Sequence, residues 1–282
     1  MEERIERIEN LVRTALEEDA AGRDITTGLL IDGDVSCSGS IEARMSGVVS
    51  GHEPAETVFR IMDDDTVYEP VALDGQRVSA GDTVARIVGR TAPILSGERT
   101  ALNFLQHLSG IATLTARFVE LAEGSGIKIL DTRKTTPGLR ILEKAAVVHG
   151  GGKNHRRDLA ERVLVKENHI AAAGGIGSVV EKLSSGRSGE AEIEVSSLEE
   201  LSRLLVSPPG RVMLDNFTPE MVRLAVDELR MVKRGTVEVE VSGGITLDTI
   251  GEYLIPGVNF ISIGSLTLSA PALDMSLIVE AD

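Results

Sequence analysis

The sequence predicts an α/β protein in which a small β-rich α+β domain precedes a parallel βα barrel. Three observations predict it. Short apolar strands recur from Lys128 onward with helical stretches between them, and a period of roughly 20–35 residues per unit is the mark of parallel βα repeats. Almost every one of these strands ends in a charged, hydroxyl or glycine residue. Ahead of them, residues 36–92 break into short β-rich pieces between Gly and Asp turns. An open doubly wound sheet would share the period. The polar strand ends favour the barrel, because its C-terminal mouth gathers such residues.

Taken in order, residues 2–19 place Ile5, Ile8, Val12, Ala15 and Leu16 at helical spacing, which predicts an amphipathic helix. Asp24-Ile25-Thr26-Thr27 follows as a polar loop. Strands are expected at Ser40–Ala43, Val48–Ser50, Thr66–Pro70, Arg77–Val78 and Thr83–Val88. The turn Asp74–Asp82 has the pattern of a biotinyl or lipoyl carrier, but no lysine precedes Lys128, so a carrier is excluded. A long helix is expected over 96–123, broken near Gly110. The repeating strands are Lys128–Leu130, Arg162–Val165, Ala191–Val195, Val212–Leu214, Val237–Val241 and Asn259–Ile263. Ser197–Leu205 reads as a helix between them, and Thr218-Pro219 opens another as N-cap and first-turn proline. The expected domains are 1–107 (α+β), 108–270 (barrel) and a tail, 271–282, that returns to the first domain.

Composition narrows the function. Aromatics are 2% of the chain and Trp is absent, so Leu, Ile, Val and Ala must build the core. A net charge of −15 argues against nucleic-acid binding, which depends on Lys and Arg neutralising phosphates. Cys37 is the single cysteine; it cannot form an internal disulfide and suits a reducing compartment. The charged start, MEERIERIEN, has no apolar signal core, and no stretch is long enough for a membrane span. A soluble, cytoplasmic protein is expected.

Against this acidity, residues 133–169 hold nine basic side chains and four acidic ones. The reversal of sign suits a strongly anionic small ligand, with Arg gripping carboxylate or phosphate and Lys adding point charge. Arg140, Lys144 and Arg162 read as a solvated helix face, and His149 as structural. His155 lies in the Gly-rich loop Gly150–Arg156 and is a candidate for ligand contact. The strand ends supply Asp131-Thr132-Arg133-Lys134, then Lys166, Glu194, Asp215, Ser242-Gly243-Gly244 and Gly264-Ser265. Gly turns on the last two barrel strands suit a phosphate. Glu194 and Asp215 suit a divalent ion such as Mg²⁺; pairing with Lys and Arg, or acid–base work, are the alternatives. Zinc is excluded by the histidine spacing and the lone cysteine.

Several runs carry a family resemblance. Asp131-Thr132-Arg133-Lys134-Thr135-Thr136-Pro137-Gly138-Leu139-Arg140 is similar to the signature of quinolinate phosphoribosyltransferases. Similar too are Gly97–Asn103, Gly150–Arg156, Val165–His169, Leu214–Asn216, Ser242–Thr246 and Ala270–Asp274. The match runs in order from the first helix to the C-terminus. The resemblance implies an incomplete barrel and a homodimer or higher homo-oligomer, with each mouth covered by the partner's N-terminal domain. It implies quinolinate and phosphoribosyl pyrophosphate as substrates, Mg²⁺ as cofactor, and nicotinate mononucleotide, pyrophosphate and CO2 as products. By position, Arg133, His155, Arg156 and Lys166 would grip the quinolinate carboxylates, with Arg99 reaching in from the partner. Lys134 and Lys166 would contact phosphoribosyl pyrophosphate, Glu194 and Asp215 would hold the metal and ribose hydroxyls, and Ser242, Gly243, Gly244 and Gly264 would line the phosphate. Lys153 and Arg157 depart from the pattern by adding positive charge. The rival readings are a paralogue with another acceptor, a Schiff-base aldolase using Lys166, and a silent binding protein.

Overall fold

The computed structural model describes residues 2–184, 191–232 and 237–281; the intervening parts of the expected barrel lie outside the described residues. In chain order the first elements are α1 (Glu2–Glu18), α2 (Ile25–Leu30), β1 (Ser36–Ala43), β2 (Gly47–Val48), α3 (His52–Met62), β3 (Val67–Pro70), β4 (Arg77–Val78), β5 (Thr83–Arg90) and α4 (Thr91–Leu121). Then come β6 (Lys128–Leu130), α5 (Arg140–His149), β7 (Leu164–Val165), α6 (Glu167–Ala172), α7 (Ile176–Ser184), β8 (Glu192–Val195) and α8 (Leu198–Leu204). The last are β9 (Arg211–Asp215), α9 (Pro219–Arg230), β10 (Glu238–Ser242), α10 (Ile250–Tyr253), β11 (Phe260–Ser262), α11 (Ser265–Leu268) and β12 (Met275–Ala281). None of the described helices is long and apolar enough to cross a membrane.

The chain forms two compact units. The first comprises Met1–Ala116, Thr135–Gly151 and Leu266–Asp282. Its main sheet is antiparallel in the order β12-β1-β5-β3, so the C-terminal strand returns to pair with β1. β1 alternates, burying Cys37, Gly39, Ile41 and Ala43, as a strand with one covered face should. α1 lays Ile8, Val12 and Leu16 inward and packs on α3.

Three expectations change in this unit. Asp24 does not sit in a loop: its carboxylate accepts from the Thr26 and Thr27 amides at 3.0 Å and caps α2. α4 runs unbroken through Gly110. That glycine serves close packing, because a Cβ there would collide with the Pro271 carbonyl. Lys144 is buried rather than solvated. It lies on the inner face of α5 beside Glu143, which accepts from the Thr136 amide and pairs with His107 at 2.9 Å. His149 is structural here, its Nδ1 lying 2.8 Å from the Ser50 hydroxyl.

The second unit comprises Arg117–Lys134 and Gly152–Ser265. Its six strands are hydrogen-bonded in the order β6-β11-β10-β9-β8-β7, and every pair is parallel. The first and second strands in sequence therefore stand at opposite edges, which is the order of a barrel with one seam open. Lys153 adds a single parallel bridge to the β6 edge. Its amide donates to the Ile129 carbonyl at 2.8 Å, and the Asp131 amide donates back to Lys153 at 3.2 Å. Arg162 precedes β7 in an irregular segment, not on a helix face. α8 and α9 start at side-chain caps: Ser197 accepts from the Glu200 amide and Thr218 from the Met221 amide. These caps set where each helix turns away from the strand end that precedes it.

Candidate active site

Side chains two apart on a strand share a face, and register partners share a level. In the second unit this brings Lys166, Glu194, Met213, Glu240, Phe260 and Lys128 onto one winding row, and Asp215, Ser242, Ser262 and Leu130 onto the next. At the C-terminal rim, Lys166 Nζ donates to Glu194 Oε2 at 2.6 Å. Lys166 also opens α6, its amide donating to His169 Nδ1 at 3.0 Å. Burial first, and then the Glu194 charge, raise the Asp215 carboxyl above its ordinary pKa; Lys166 and Lys134 pull it the other way. The Glu194 charge is thus felt at Asp215, and the charges of Lys166 and Lys134 offset it. Asn216 Nδ2 steadies Asp215 at 2.8 Å.

Lys134, which follows β6, brings its side chain close to the end of β11. A Cβ on Gly264, just past β11, would meet Lys134 Cδ at 2.9 Å, so a larger residue there would displace that lysine side chain. Gly243 has φ +105° and a Cβ there would strike Asn216. Asn216 is itself left-handed at φ +56° and donates its amide to the Ser242 carbonyl at 2.8 Å. The turns after β9 and β10 are therefore locked together, and Gly243-Gly244 presents backbone beside Asp215. Arg133 and Arg156 form the cationic part. Burial, and then the charge of Arg133, hold the Arg156 guanidinium below its ordinary pKa.

His155 is not an open ligand. It is buried, and both ring nitrogens are engaged: Nε2 lies 3.1 and 3.2 Å from the two Glu192 oxygens, and Nδ1 accepts from the Arg156 amide at 2.7 Å. Its own amide donates to Asp131 at 2.8 Å. Arg99, on α4, is exposed and belongs to the first unit. Arg157 and Lys153, the two extra basic residues, are exposed, Arg157 lying beside Asp158 and Glu161.

The sequence reading missed a buried polar layer beneath the rim. Glu192, Glu240 and Arg211 all project inward with His155. Arg211 Nη1 is 3.0 Å from Glu240 Oε2, and its guanidinium lies 3.9 Å from the Phe260 ring centroid. Burial, and then Glu192, push the Glu240 carboxyl up to about 7. Burial also works against ionised Glu192, but the His155 hydrogen bond, Arg211 and Arg162 outweigh it and hold that carboxyl below its ordinary pKa. The signal was present as Glu-Ile-Glu-Val in β8 and Glu-Val-Glu-Val-Ser in β10. Parallel strands covered on both faces ordinarily read as continuous apolar runs; charge at every second position marks an interior with a polar layer of its own.

A rim with two lysines, two arginines, two repelling carboxylates and paired glycine turns can hold a multiply anionic ligand and a divalent cation together. Residues 24–109 match the quinolinate phosphoribosyl transferase N-terminal domain and residues 111–278 its C-terminal domain. A nicotinate-nucleotide pyrophosphorylase [carboxylating] of Mycobacterium leprae is 38% identical over 275 residues, covering 94% of this chain and 95% of the relative. The chloroplastic enzyme of the same description from Arabidopsis thaliana is 36% identical over 290 residues, covering 96% and 82%. The solved nicotinate-nucleotide pyrophosphorylase of Francisella tularensis superposes with TM-score 0.90 at 39% identity, covering 98% of this chain and 97% of that one.

Proposed function

The chain belongs to the quinolinate phosphoribosyltransferase family, and from that membership we propose how its own residues carry out the reaction. The reaction is the decarboxylating transfer of NAD biosynthesis: phosphoribose passes from phosphoribosyl pyrophosphate to quinolinate, giving nicotinate mononucleotide, pyrophosphate and CO2.

In this reading Arg133, Arg156 and Lys166 take the two quinolinate carboxylates, and His155 stands behind Arg156. Orienting both carboxylates aims the ring nitrogen at the sugar carbon, and fixed orientation is a large part of the rate. Lys134 and Lys166 face the pyrophosphate, whose negative charge grows as it leaves. Ser242, Gly243, Gly244 and Gly264 line the 5′-phosphate with small residues and backbone N–H groups. Glu194 and Asp215 stand beside the ribose, where their charge favours the cationic sugar centre of the transition state. Once the ring nitrogen is alkylated and cationic, it accepts the electron pair that the departing CO2 leaves at the adjacent carbon.

The donor set fits Mg²⁺, which takes one or two carboxylates and completes its shell with phosphate oxygens and water. Glu194 and Asp215 would hold it. When bound, it would neutralise charge on the leaving pyrophosphate. The carboxylate pair supports this reading, because like charges at close range call for a cation, and Lys166 pairs with only one of the two.

We also read the protein as a cytoplasmic homodimer with Arg99 supplied by the partner subunit. α2 supports an interface: Ile25, Leu29 and Leu30 are 85%, 83% and 70% exposed on one short helix, and an apolar cluster of that kind calls for cover.

The observation that carries the reading is the 2.6 Å Lys166–Glu194 pair beside Asp215 at the rim of the parallel strands. The test is release of CO2 from carboxyl-labelled quinolinate. Release that requires phosphoribosyl pyrophosphate is expected. Release without it, or equal use of nicotinate as acceptor, would overturn two-carboxylate recognition.

A further inference from the structure

Beneath the rim, the His155 imidazole joins Glu192 of the buried layer to the backbone of Arg156. The Arg156 amide donates to Nδ1 at 2.7 Å, so Nδ1 carries the lone pair and the ring proton sits on Nε2. That N–H points between the Glu192 oxygens, 3.1 and 3.2 Å away. Glu192 therefore fixes both the tautomer and the tilt of the ring. Protonation or rotation of the imidazole would break its bond to Arg156.

The arginine itself is half spent. One Nη donates to the Arg162 carbonyl at 3.0 Å. Its Nε is buried and has no hydrogen-bond partner among the described residues. A buried, unused guanidinium N–H costs stability unless something later takes it, and nearby Arg133 adds repulsion. Left to itself, this side chain would swing to solvent.

We propose that Glu192 and His155 are positioning residues that hold Arg156 with its Nε–H aimed at a quinolinate carboxylate. The inference rests on the reading that Arg156 grips quinolinate. His155, Glu192 and Glu240 converge with ligand atoms within 4.8 Å of one another, as a metal site would. The Arg211 guanidinium, 3.0 Å from Glu240 and 4.0 Å from Glu192, already fills the role of countercharge, so the cluster is a support and not a second metal centre.

Steady-state kinetics with each substrate varied in turn tests this. Glu192→Leu removes the acceptor at similar volume, and should raise the quinolinate KM by about tenfold, the scale of one charge-assisted hydrogen bond. The KM for phosphoribosyl pyrophosphate should not move. Glu192→Gln keeps an acceptor for Nε2–H and should recover most of the loss. His155→Asn places an oxygen where Nδ1 was, and should lose less than His155→Gln, which replaces Nε2 instead. Both KM values rising together, Gln no better than Leu at 192, or Gln better than Asn at 155, would overturn the relay. If Glu192→Leu does not fold, the two His155 variants decide alone. Arg156→Lys separates the levels: an unchanged quinolinate KM would sink the grip itself, whereas a raised one with Glu192→Leu silent would sink only the positioning.

Discussion

Replacing Glu240 by glutamine should make the protein's stability less dependent on pH. Glu240 is fully buried; Oε2 faces Arg211 Nη1 at 3.0 Å, and Oε1 lies 3.7 Å from His155 Nε2 with no hydrogen bond. Burial and the neighbouring Glu192 raise its carboxyl from 4.5 to about 7. The folded protein thus binds this proton more tightly than the unfolded chain does. The stability it confers is complete below about pH 4.5 and is lost as the pH climbs through about 7. At about 1.4 kcal/mol per pKa unit, the loss is on the order of 3 kcal/mol. Glutamine cannot ionise and suffers none of it. Urea unfolding of both proteins at pH 5 and pH 8 isolates the effect, because groups that do not interact with Glu240 cancel in the comparison and Glu192, held below its ordinary pKa, is ionised at both. The variant should gain on the order of 3 kcal/mol relative to wild type between the two pH values. A stability difference that is the same at both would show that Glu240 stays ionised, and that the balance of charge in the buried layer is not the one described.

Other perturbations test the site and its frame. Lys134→Ala should weaken phosphoribosyl pyrophosphate binding in calorimetry by about tenfold or more while quinolinate binding changes little; equal affinity for the former would remove Lys134 from that role. Arg99→Ala and Arg133→Ala should each impair turnover, and mixing the two inactive proteins under subunit exchange should restore part of the activity; no recovery in freshly formed heterodimers would refute a shared site. Chelating Mg²⁺ should stop CO2 release and adding it back should restart it, whereas an unchanged rate would take the metal out of the reaction. Gly110→Ala should destabilise the first unit by about 1–3 kcal/mol, since the methyl group would be forced into the Pro271 carbonyl; a melting temperature equal to wild type would show that the tail yields without cost.

Much of the rim was legible because each contributing residue is announced by its place at the end of an apolar run. Lys166, Glu194, Asp215 and Gly243-Gly244 follow strands at a regular period, and the parallel topology does the rest. The partners of His155 were not legible. The histidine comes from a loop, while Glu192 and Glu240 come from β8 and β10, and no local spacing links a loop to the inward face of two strands. Glu192 and Glu194 share one face of β8, and only the one nearer the strand end reads as a mouth residue from sequence. The capped helix at Asp24 was hidden by threonines that also suit a loop, and only the accepted amides of Thr26 and Thr27 decide between the two. Gly110 misled for a different reason. A glycine weakens a helix locally, but here the segment it packs against lies more than 150 residues further along the chain, and that close approach outweighs propensity.

The open seam of the barrel also has a use. Among the described residues β6 and β7 are not paired with each other, and an exposed strand edge invites any backbone that can pair with it. Lys153 takes that place for a single residue, exchanging hydrogen bonds with Ile129 on β6 and Asp131 just past it. Two residues on, alternation turns His155 inward, where Asp131 receives its amide and Glu192 its ring. One further residue brings Arg156 to the rim. A full strand at this edge would have carried the chain past the mouth as regular β-structure, with every second side chain committed to packing. The short bridge instead ends at once and delivers a buried histidine and an arginine with an unspent N–H in consecutive positions. In the proposed site this short bridge is what delivers that pair, so lengthening it, by replacing Gly152 or Asn154 with β-branched residues, is expected to raise the quinolinate KM; an unchanged KM would show that the bridge length does not matter.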